Sequence, residues 1–451
     1  MDAGPARRRR DRAVTETRPP AAAADLGVGL LGCGTVGSAV VRLLQTNGED
    51  IRRRTGIGLR LARVAAAHPA KPREVRLEAG MLTPDAAAVV ADDRVDVVVE
   101  VMGGIEPART LLLDAIRRGK SVVTANKQLL AQHGPELFAE AKRAGVDLRL
   151  EASVGGGLPV IQPLRESLAA NRIQEVVGIL NGTTNYILTK MAEERWEFAR
   201  ALAEAQRRGF AEADPAADVE GHDAAAKLAI LATITFGTPV RAGDVYREGI
   251  GRISAQDIQF AEELGYVVKL LAITRESDGR VEARVHPAFL ARVHPLAAIG
   301  NELNAVFVRG DAVGEVMFVG RGAGGAPTAS AVVADLIDIA WNRRAGAHGR
   351  VGFGAMSARA LRPMEETASP FYLLMQVADR PGVFARIAAI FGEENVSIAS
   401  VVQKSRGETA DIVMVTHTTN EKQMRRVLSR LEGLDVVRAV RNVIRVVDGD
   451  A

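Results

Sequence analysis

Asp223 and Lys227 stand four residues apart in Gly221-His222-Asp223-Ala224-Ala225-Ala226-Lys227-Leu228, a spacing that puts both on one face of a helix. Such a pair is usually solvated and worth a few tenths of a kcal/mol. Here Ala224, Ala225, Leu228, Ala229 and Ala232 make the other faces apolar too, which implies burial, and a buried lysine must be paired or functional. An acidic loop with Glu212, Asp214, Asp218 and Glu220 leads into this helix. When a hydride reaches an aldehyde carbon, the developing alkoxide needs a proton and a nearby positive charge, and a lysine supplies both. Acidic neighbours such as Asp214, Asp218 and Asp223 suit an ammonium group on the same substrate.

A second constellation, Gly32-Cys33-Gly34-Thr35-Val36-Gly37, directly follows an apolar run and opens an amphipathic stretch with Val40, Val41, Leu43 and Leu44. Gly32 permits a tight turn, Gly34 lets backbone approach a pyrophosphate, and Gly37 lets helix and strand pack closely. The helix start at Thr35 and Val36 favours phosphate charge. Alone, this pattern is as easily a structural turn; between a strand and a helix it reads as dinucleotide binding. The acidic residue that would meet a ribose 2′-hydroxyl is missing, since Val64 leads into Ala65, Ala66, Ala67 and His68. Lys71 and Arg73 follow and suit a 2′-phosphate, although basic loop residues are more often only solvated. NADP is favoured over NAD, with both left open.

The elements needed to position these groups follow from the apolar periodicity. Short β-branched runs at Leu26–Leu31, Leu59–Ala66, Val95–Met102 and Ser121–Thr124 alternate with helical stretches, the pattern of a parallel sheet with helices. This predicts an α/β Rossmann-type dinucleotide-binding domain over 25–150, completed by 325–350. An α+β catalytic and dimerisation domain follows over 151–324, then a linker over 351–370. From 371 to 448 the runs read strand, helix, two strands, helix, strand, a βαββαβ order that closes a four-stranded antiparallel sheet under two helices. Residues 1–24, rich in Arg, Ala and Pro, read as a disordered leader or an N-terminus assigned too far upstream.

Composition excludes several classes. The net charge of +3 equals the six arginines of residues 1–24 less Asp2, Asp11 and Glu16, so the rest is balanced and offers no footprint for nucleic acid. No apolar run is long enough to span a bilayer, and no secretory signal core is present, so a cytoplasmic location without a membrane partner is expected. The one cysteine, Cys33, permits no intrachain disulfide, and the seven histidines show no zinc spacing.

The acidic loop and helix resemble the signature of the homoserine dehydrogenase family, and other motifs agree: Val123-Thr124-Ala125-Asn126-Lys127, Glu151-Ala152-Ser153-Val154-Gly155-Gly156-Gly157-Leu158-Pro159, Asn181-Gly182-Thr183-Thr184-Asn185-Tyr186, and Gly322-Ala323-Gly324-Gly325-Ala326-Pro327-Thr328-Ala329. The resemblance covers roughly residues 25–450. It implies reduction of L-aspartate 4-semialdehyde to L-homoserine in threonine, methionine and isoleucine biosynthesis. Lys227 would be the proton donor, Asp223 its partner at the substrate, Glu212 a substrate-binding carboxylate, and Lys127 a contact to cofactor and substrate. Lys127 also follows a sheet strand at the edge where α/β ligands bind; a capping or solvent-facing lysine is the alternative. Gly324 is placed near the nicotinamide, with a packing turn as its alternative. The family's Na+ or K+ site would map to Glu151, Val154, Gly156 and Leu158, which by themselves read as a Gly-rich turn. One departure is Ala67 beside His68, where the family often carries an arginine.

The turn Asp379-Arg380-Pro381-Gly382-Val383 in the last unit resembles the ACT family of amino-acid-binding regulatory domains. Gly382 frees the backbone, and the helix start at Val383 offers N–H groups to a carboxylate. The resemblance implies an amino-acid effector, with threonine suspected, and a homodimer or homotetramer; a ligand-free dimerisation module is the alternative. About 24 residues ahead of the first strand imply a stand-alone dehydrogenase. Two rivals are another nicotinamide-dependent reductase of small amino aldehydes and a non-catalytic sensor of dinucleotide and amino acid. The Glu212–Lys227 signature weighs against the first, and intact Lys127, Asp223 and Lys227 against the second.

Overall fold

The computed structural model describes residues 25–349, 356–404 and 407–447. The expected leader at 1–24, residues 350–355 around the start of the expected linker, and residue 448 lie outside them. Six strands form one parallel sheet: β1 (Leu26–Leu31), β2 (Leu59–Ala65), β3 (Leu82–Thr83), β4 (Val97–Glu100), β5 (Ser121–Thr124) and β6 (Leu148–Arg149). Their order is β3-β2-β1-β4-β5-β6. Between them run α1 (Thr35–Thr55), α2 (Ala86–Ala91), α3 (Ala108–Arg117) and α4 (Lys127–Ala144). Because successive strand side chains point to opposite faces, Val97 and Val99 join one apolar cluster with α1, while Val98 and Val122 join another with α2, α3 and α4. Both faces are thus buried, which is why these strands read as continuous apolar runs. The order reverses between β1 and β4, and ligands of such sheets bind outside the carboxyl ends of the strands at that point.

The chain then builds a mostly antiparallel sheet from β7 (Ile173–Ile179), β8 (Tyr246–Arg247), β9 (Tyr266–Ser277), β10 (Arg280–Ala291), β11 (Leu303–Gly310) and β12 (Gly314–Arg321). The accompanying helices are α5 (Gly182–Glu194), α6 (Phe198–Arg207), the short α7 (Ala216–Val219), α8 (His222–Phe236) and α9 (Ala255–Glu263). The long α10 (Gly325–Arg344) returns to the first domain and packs on α1.

Part of the segment expected as a linker is strapped down. Val281 donates to the Ala360 carbonyl and accepts from the Arg362 N–H, so the chain runs as a bridge along β10. β13 (Ala368–Ser369) precedes the last unit, which comprises β14 (Phe371–Ala378), α11 (Val383–Glu393), β15 (Ile398–Lys404), β16 (Thr409–Thr416), β17 (Thr419–Asn420), α12 (Glu421–Glu432) and β18 (Val437–Val447). Its sheet order is β18-β14-β16-β15, all antiparallel. β18 also pairs in parallel with β10, so the sheet continues across the domain boundary.

Candidate active site

α8 is buried along most of its length because its alanines and leucines face the sheet on one side and α4 on the other. This packing brings the first turn of α8 against the first residue of α4. Lys227 Nζ lies 2.7 Å from Asp223 Oδ2, and the ammonium of Lys127 grips the other oxygen, Oδ1. Lys227 also donates to the Leu180 carbonyl at 2.6 Å. Asn181 caps α5 by accepting from the Thr184 N–H, and its Nδ2 donates to Asp218 (2.6 Å) and Asp223 (3.0 Å). Burial alone would raise the Asp223 carboxyl, but Lys227 and Lys127 outweigh it and hold it well below the ordinary carboxylate range.

These groups line a cleft of about 380 Å³ together with Phe210, Glu302, Asn304, Arg321 and Gly324. The starts of four helices meet there: Lys127 opens α4, Asn181 caps α5, Asp223 lies in the first turn of α8, and Gly324 caps α10. Their unsatisfied N–H groups add positive potential where an alkoxide would develop. Three cationic side chains, Lys127, Lys227 and Arg321, face three anionic ones, Asp218, Asp223 and Glu302, a balance that suits a zwitterion.

Of the carboxylates expected at the substrate, Asp218 and Asp223 line the cleft, whereas Glu212 is exposed and not among the lining residues. Asp214 is likewise exposed and outside that lining, and it caps the next turn through the Ala216 N–H at 3.1 Å, because an aspartate just before Pro215 is well placed to bond that backbone group. Asn181, Glu302, Asn304 and Arg321 were not foreseen as lining residues. The Asn181-Gly182-Thr183-Thr184 run does carry a capping signal, but only the fold shows that the same amide reaches two aspartates.

The Gly-rich turn stands at the carboxyl end of β1, beside the reversal of strand order. Gly32 adopts φ +103°, and a Cβ on Gly37 would fall 2.1 Å from the Gly32 carbonyl oxygen, so α1 rests directly on the turn. A Cβ on Gly34 would meet no protein atom within 4 Å, leaving the helix start with Thr35 and Val36 open on its outer side. This cradle fits a pyrophosphate. Beyond β2, Arg73 is committed to the carbonyls of His68, Pro69 and Lys71, while Lys71 stays exposed. Glu100 shapes the neighbouring loop by accepting from the Met102 and Gly103 N–H groups, which ends β4 earlier than the apolar run predicts.

Glu151, Val154, Gly156 and Leu158 are all buried. The Glu151 carboxylate already accepts from the N–H groups of Val160 (2.5 Å), Ile161 (2.9 Å) and Gln162 (2.7 Å), and burial pushes its pKa up. That carboxylate does not fit as a free cation ligand, so only carbonyl oxygens are left for Na+ or K+. Among the described residues no group of three or more His, Cys, Asp or Glu side chains could hold a metal ion, and no helix is long and apolar enough to cross a membrane. In the last domain Gly382 caps α11 at φ +86°, beside Pro381 and Val383, and Asp379 accepts from Gln403 and from the Gly407 N–H.

Three family models match the chain: homoserine dehydrogenase, NAD binding domain, over 32–151; homoserine dehydrogenase over 159–337; and the ACT domain over 371–436. A homoserine dehydrogenase of Corynebacterium glutamicum is 46% identical over 93% of this chain and 95% of its own. The crystal structure of a homoserine dehydrogenase from Thiobacillus denitrificans superposes with a TM-score of 0.88 at 43% identity, covering 94% of this chain and 99% of that one. A hyperthermophilic archaeal homoserine dehydrogenase in complex with NADPH superposes at 0.60 and 27% identity, covering 70% of this chain and 98% of that one. Likeness sustained through the nucleotide, catalytic and C-terminal domains together makes this chain a member of the homoserine dehydrogenase family, an NAD(P)-dependent oxidoreductase with an ACT domain.

Proposed function

We propose that this enzyme reversibly reduces L-aspartate 4-semialdehyde to L-homoserine with Lys227 as the proton donor. The observation that carries the reading is the Asp223 carboxylate held between Lys127 and Lys227 in a cleft of balanced charge. The nicotinamide cofactor, when bound, supplies the hydride to the aldehyde carbon or takes it back. Gly32, Gly34, Thr35, Val36 and Gly37 hold its pyrophosphate, and Lys127 and Gly324 face its nicotinamide end. Lys227 protonates the alkoxide oxygen, and its charge, with the converging helix starts, stabilises that oxygen as it forms. Asp223 fixes Lys227 and, with Asp218, meets the substrate's ammonium group; Glu212 meets it from the loop that carries Phe210.

NADP is proposed ahead of NAD, supported by the alanines that follow β2 and by the exposed Lys71 rather than by Arg73. A monovalent cation, Na+ or K+, is assigned to the backbone carbonyls of Glu151, Val154, Gly156 and Leu158, with no step routed through it. The reaction serves threonine, methionine and isoleucine biosynthesis in the cytoplasm, in a homodimer or homotetramer, and threonine acts through the turn of Asp379, Pro381, Gly382 and Val383.

The test follows NADPH and NADH loss with L-aspartate 4-semialdehyde, with and without L-threonine, for the wild type and Lys227→Ala. A fall of about 10² to 10⁴-fold in kcat for a folded variant is expected. A wild type without turnover overturns the reading.

A further inference from the structure

Asn304 is 1% exposed, yet neither its Oδ1 nor its Nδ2 has a hydrogen-bond partner in the protein. The other amide on the cleft wall, Asn181, uses both of its ends. A buried amide with donor and acceptor both unmet is costly to keep, which marks it as prepared for a ligand.

Its surroundings say which ligand. Asn304 pairs with Gly320 across the β11–β12 ladder, and its side chain lies so close to Gly322 that a Cβ there would sit 2.0 Å from the amide carbon. On another side, a Cβ on Gly182 at the start of α5 would be 3.4 Å from Oδ1. Gly322 leads through Ala323 and Gly324 into α10, whose first residue, Gly325, packs against Thr35 of the nucleotide turn. Asn304 therefore stands between the Gly322–Gly324 turn, which α10 ties to the nucleotide turn at Thr35, and the α5 start whose cap, Asn181, donates to Asp223. That is where the reacting ring of a dinucleotide laid along Gly34 must arrive.

We infer that Asn304 recognises the carboxamide of the nicotinamide ring and so fixes the ring's orientation in the cleft. A primary amide offers one acceptor and one donor edge, and a carboxamide satisfies both at once. A carboxylate answers Nδ2 alone, and an ammonium group Oδ1 alone. The Gly322 position lacks a side chain because the amide occupies that space.

The inference rests on the dehydrogenase reading and is tested apart from it by calorimetry. NADP and its 3-acetylpyridine analogue, which keeps the ring carbonyl but loses the NH2, are titrated into the wild type, Asn304→Leu and Asn304→Asp, each checked for fold by circular dichroism. The wild type is expected to bind the analogue about tenfold more weakly, the size of one lost hydrogen bond. Asn304→Leu should bind both weakly and equally, while Asn304→Asp, which keeps an acceptor of the same shape, should retain the preference for the NH2. An analogue penalty of the same size in the wild type and Asn304→Leu overturns the inference, and a selective loss of L-homoserine affinity in Asn304→Leu gives the amide to the substrate instead. A wild type that binds cofactor and turns over while showing no such coupling sinks only this inference; one without turnover sinks the reading beneath it.

Discussion

Asp223 keeps its charge because two ammonium groups oppose the cost of its burial. A carboxyl held below its ordinary value loses its charge only as pH falls through that lowered value, so in the wild type Asp223 stays ionised throughout pH 5 to 9. Replacing Lys227 by Met removes one of the two cationic pulls and leaves the burial, so the carboxyl moves upward. Calorimetric binding of L-homoserine to the cofactor-loaded variant should then weaken as pH is lowered from 7 to 5, by at most about tenfold per pH unit, while the wild type stays flat on that account. A variant as flat as the wild type would mean that Asp223 does not carry the charge the ammonium meets. This pair was legible in the sequence because one helix carries both residues and its apolar remainder announces burial. Asn304 was not, because a lone asparagine in a strand shows nothing of the glycine opposite or of its empty hydrogen-bonding edge.

Helices position the site through their first turns, and what surrounds those turns decides how rigid they are. α5 is pinned by Lys269 of β9, whose buried ammonium donates to Asn185 Oδ1 at 3.1 Å and to the Ile299 carbonyl at 2.5 Å. Burial brings that lysine down to about 8 against the smaller opposing pull of Glu193, which still leaves it mostly charged at neutral pH. α1 is pinned by the absence of atoms. Gly34 and Gly37 look alike in the motif, yet the fold separates them: a Cβ on Gly37 collides with the Gly32 carbonyl, while a Cβ on Gly34 meets only open space at an ordinary φ of −85°. Gly37→Ala should therefore cost about 1–3 kcal/mol of stability and weaken cofactor binding. Gly34→Ala should melt within about 0.5 kcal/mol of the wild type and still bind NADP at least about tenfold more weakly, since one methyl would hold the pyrophosphate off the helix start. Thermal melts and cofactor titrations on the two variants separate these roles; unchanged cofactor affinity in Gly34→Ala would remove the pyrophosphate from that face. The motif and its flanking elements are readable from apolar periodicity, whereas the convergence of α4, α5, α8 and α10 is long-range and appears in no local pattern.

Across the whole molecule, the C-terminal domain is an extension of the catalytic sheet rather than a tethered module. β18 lies beside β10, and from it Arg445, 5% exposed, reaches in two directions. Its guanidinium donates to Glu421 of α12 at 3.0 and 2.6 Å and to Glu248 just after β8 at 3.0 Å. The βαββαβ order could be read from the runs alone, but a parallel pairing between strands more than 150 residues apart could not, because neither strand's apolar pattern specifies its neighbour. The contact continues toward the cleft. Gly249 packs so closely on Val219 that a Cβ would stand 2.4 Å from its carbonyl oxygen, the Ile250 N–H donates to that oxygen at 2.9 Å, and Val219 follows Asp218. Replacing Arg445 by Met leaves Glu421 and Glu248 without their cation, a loss of about 3–5 kcal/mol, and the C-terminal domain should loosen from β10. Faster proteolysis within 356–370 would report that loosening. If the packing of Gly249 and Ile250 on Val219 braces the substrate side of the cleft, KM for L-homoserine should rise severalfold while NADP affinity, set on the far domain, stays unchanged. A loosened domain with unaltered KM would show instead that the catalytic cleft holds its shape without the C-terminal unit, and an effector acting there would need another route to the site.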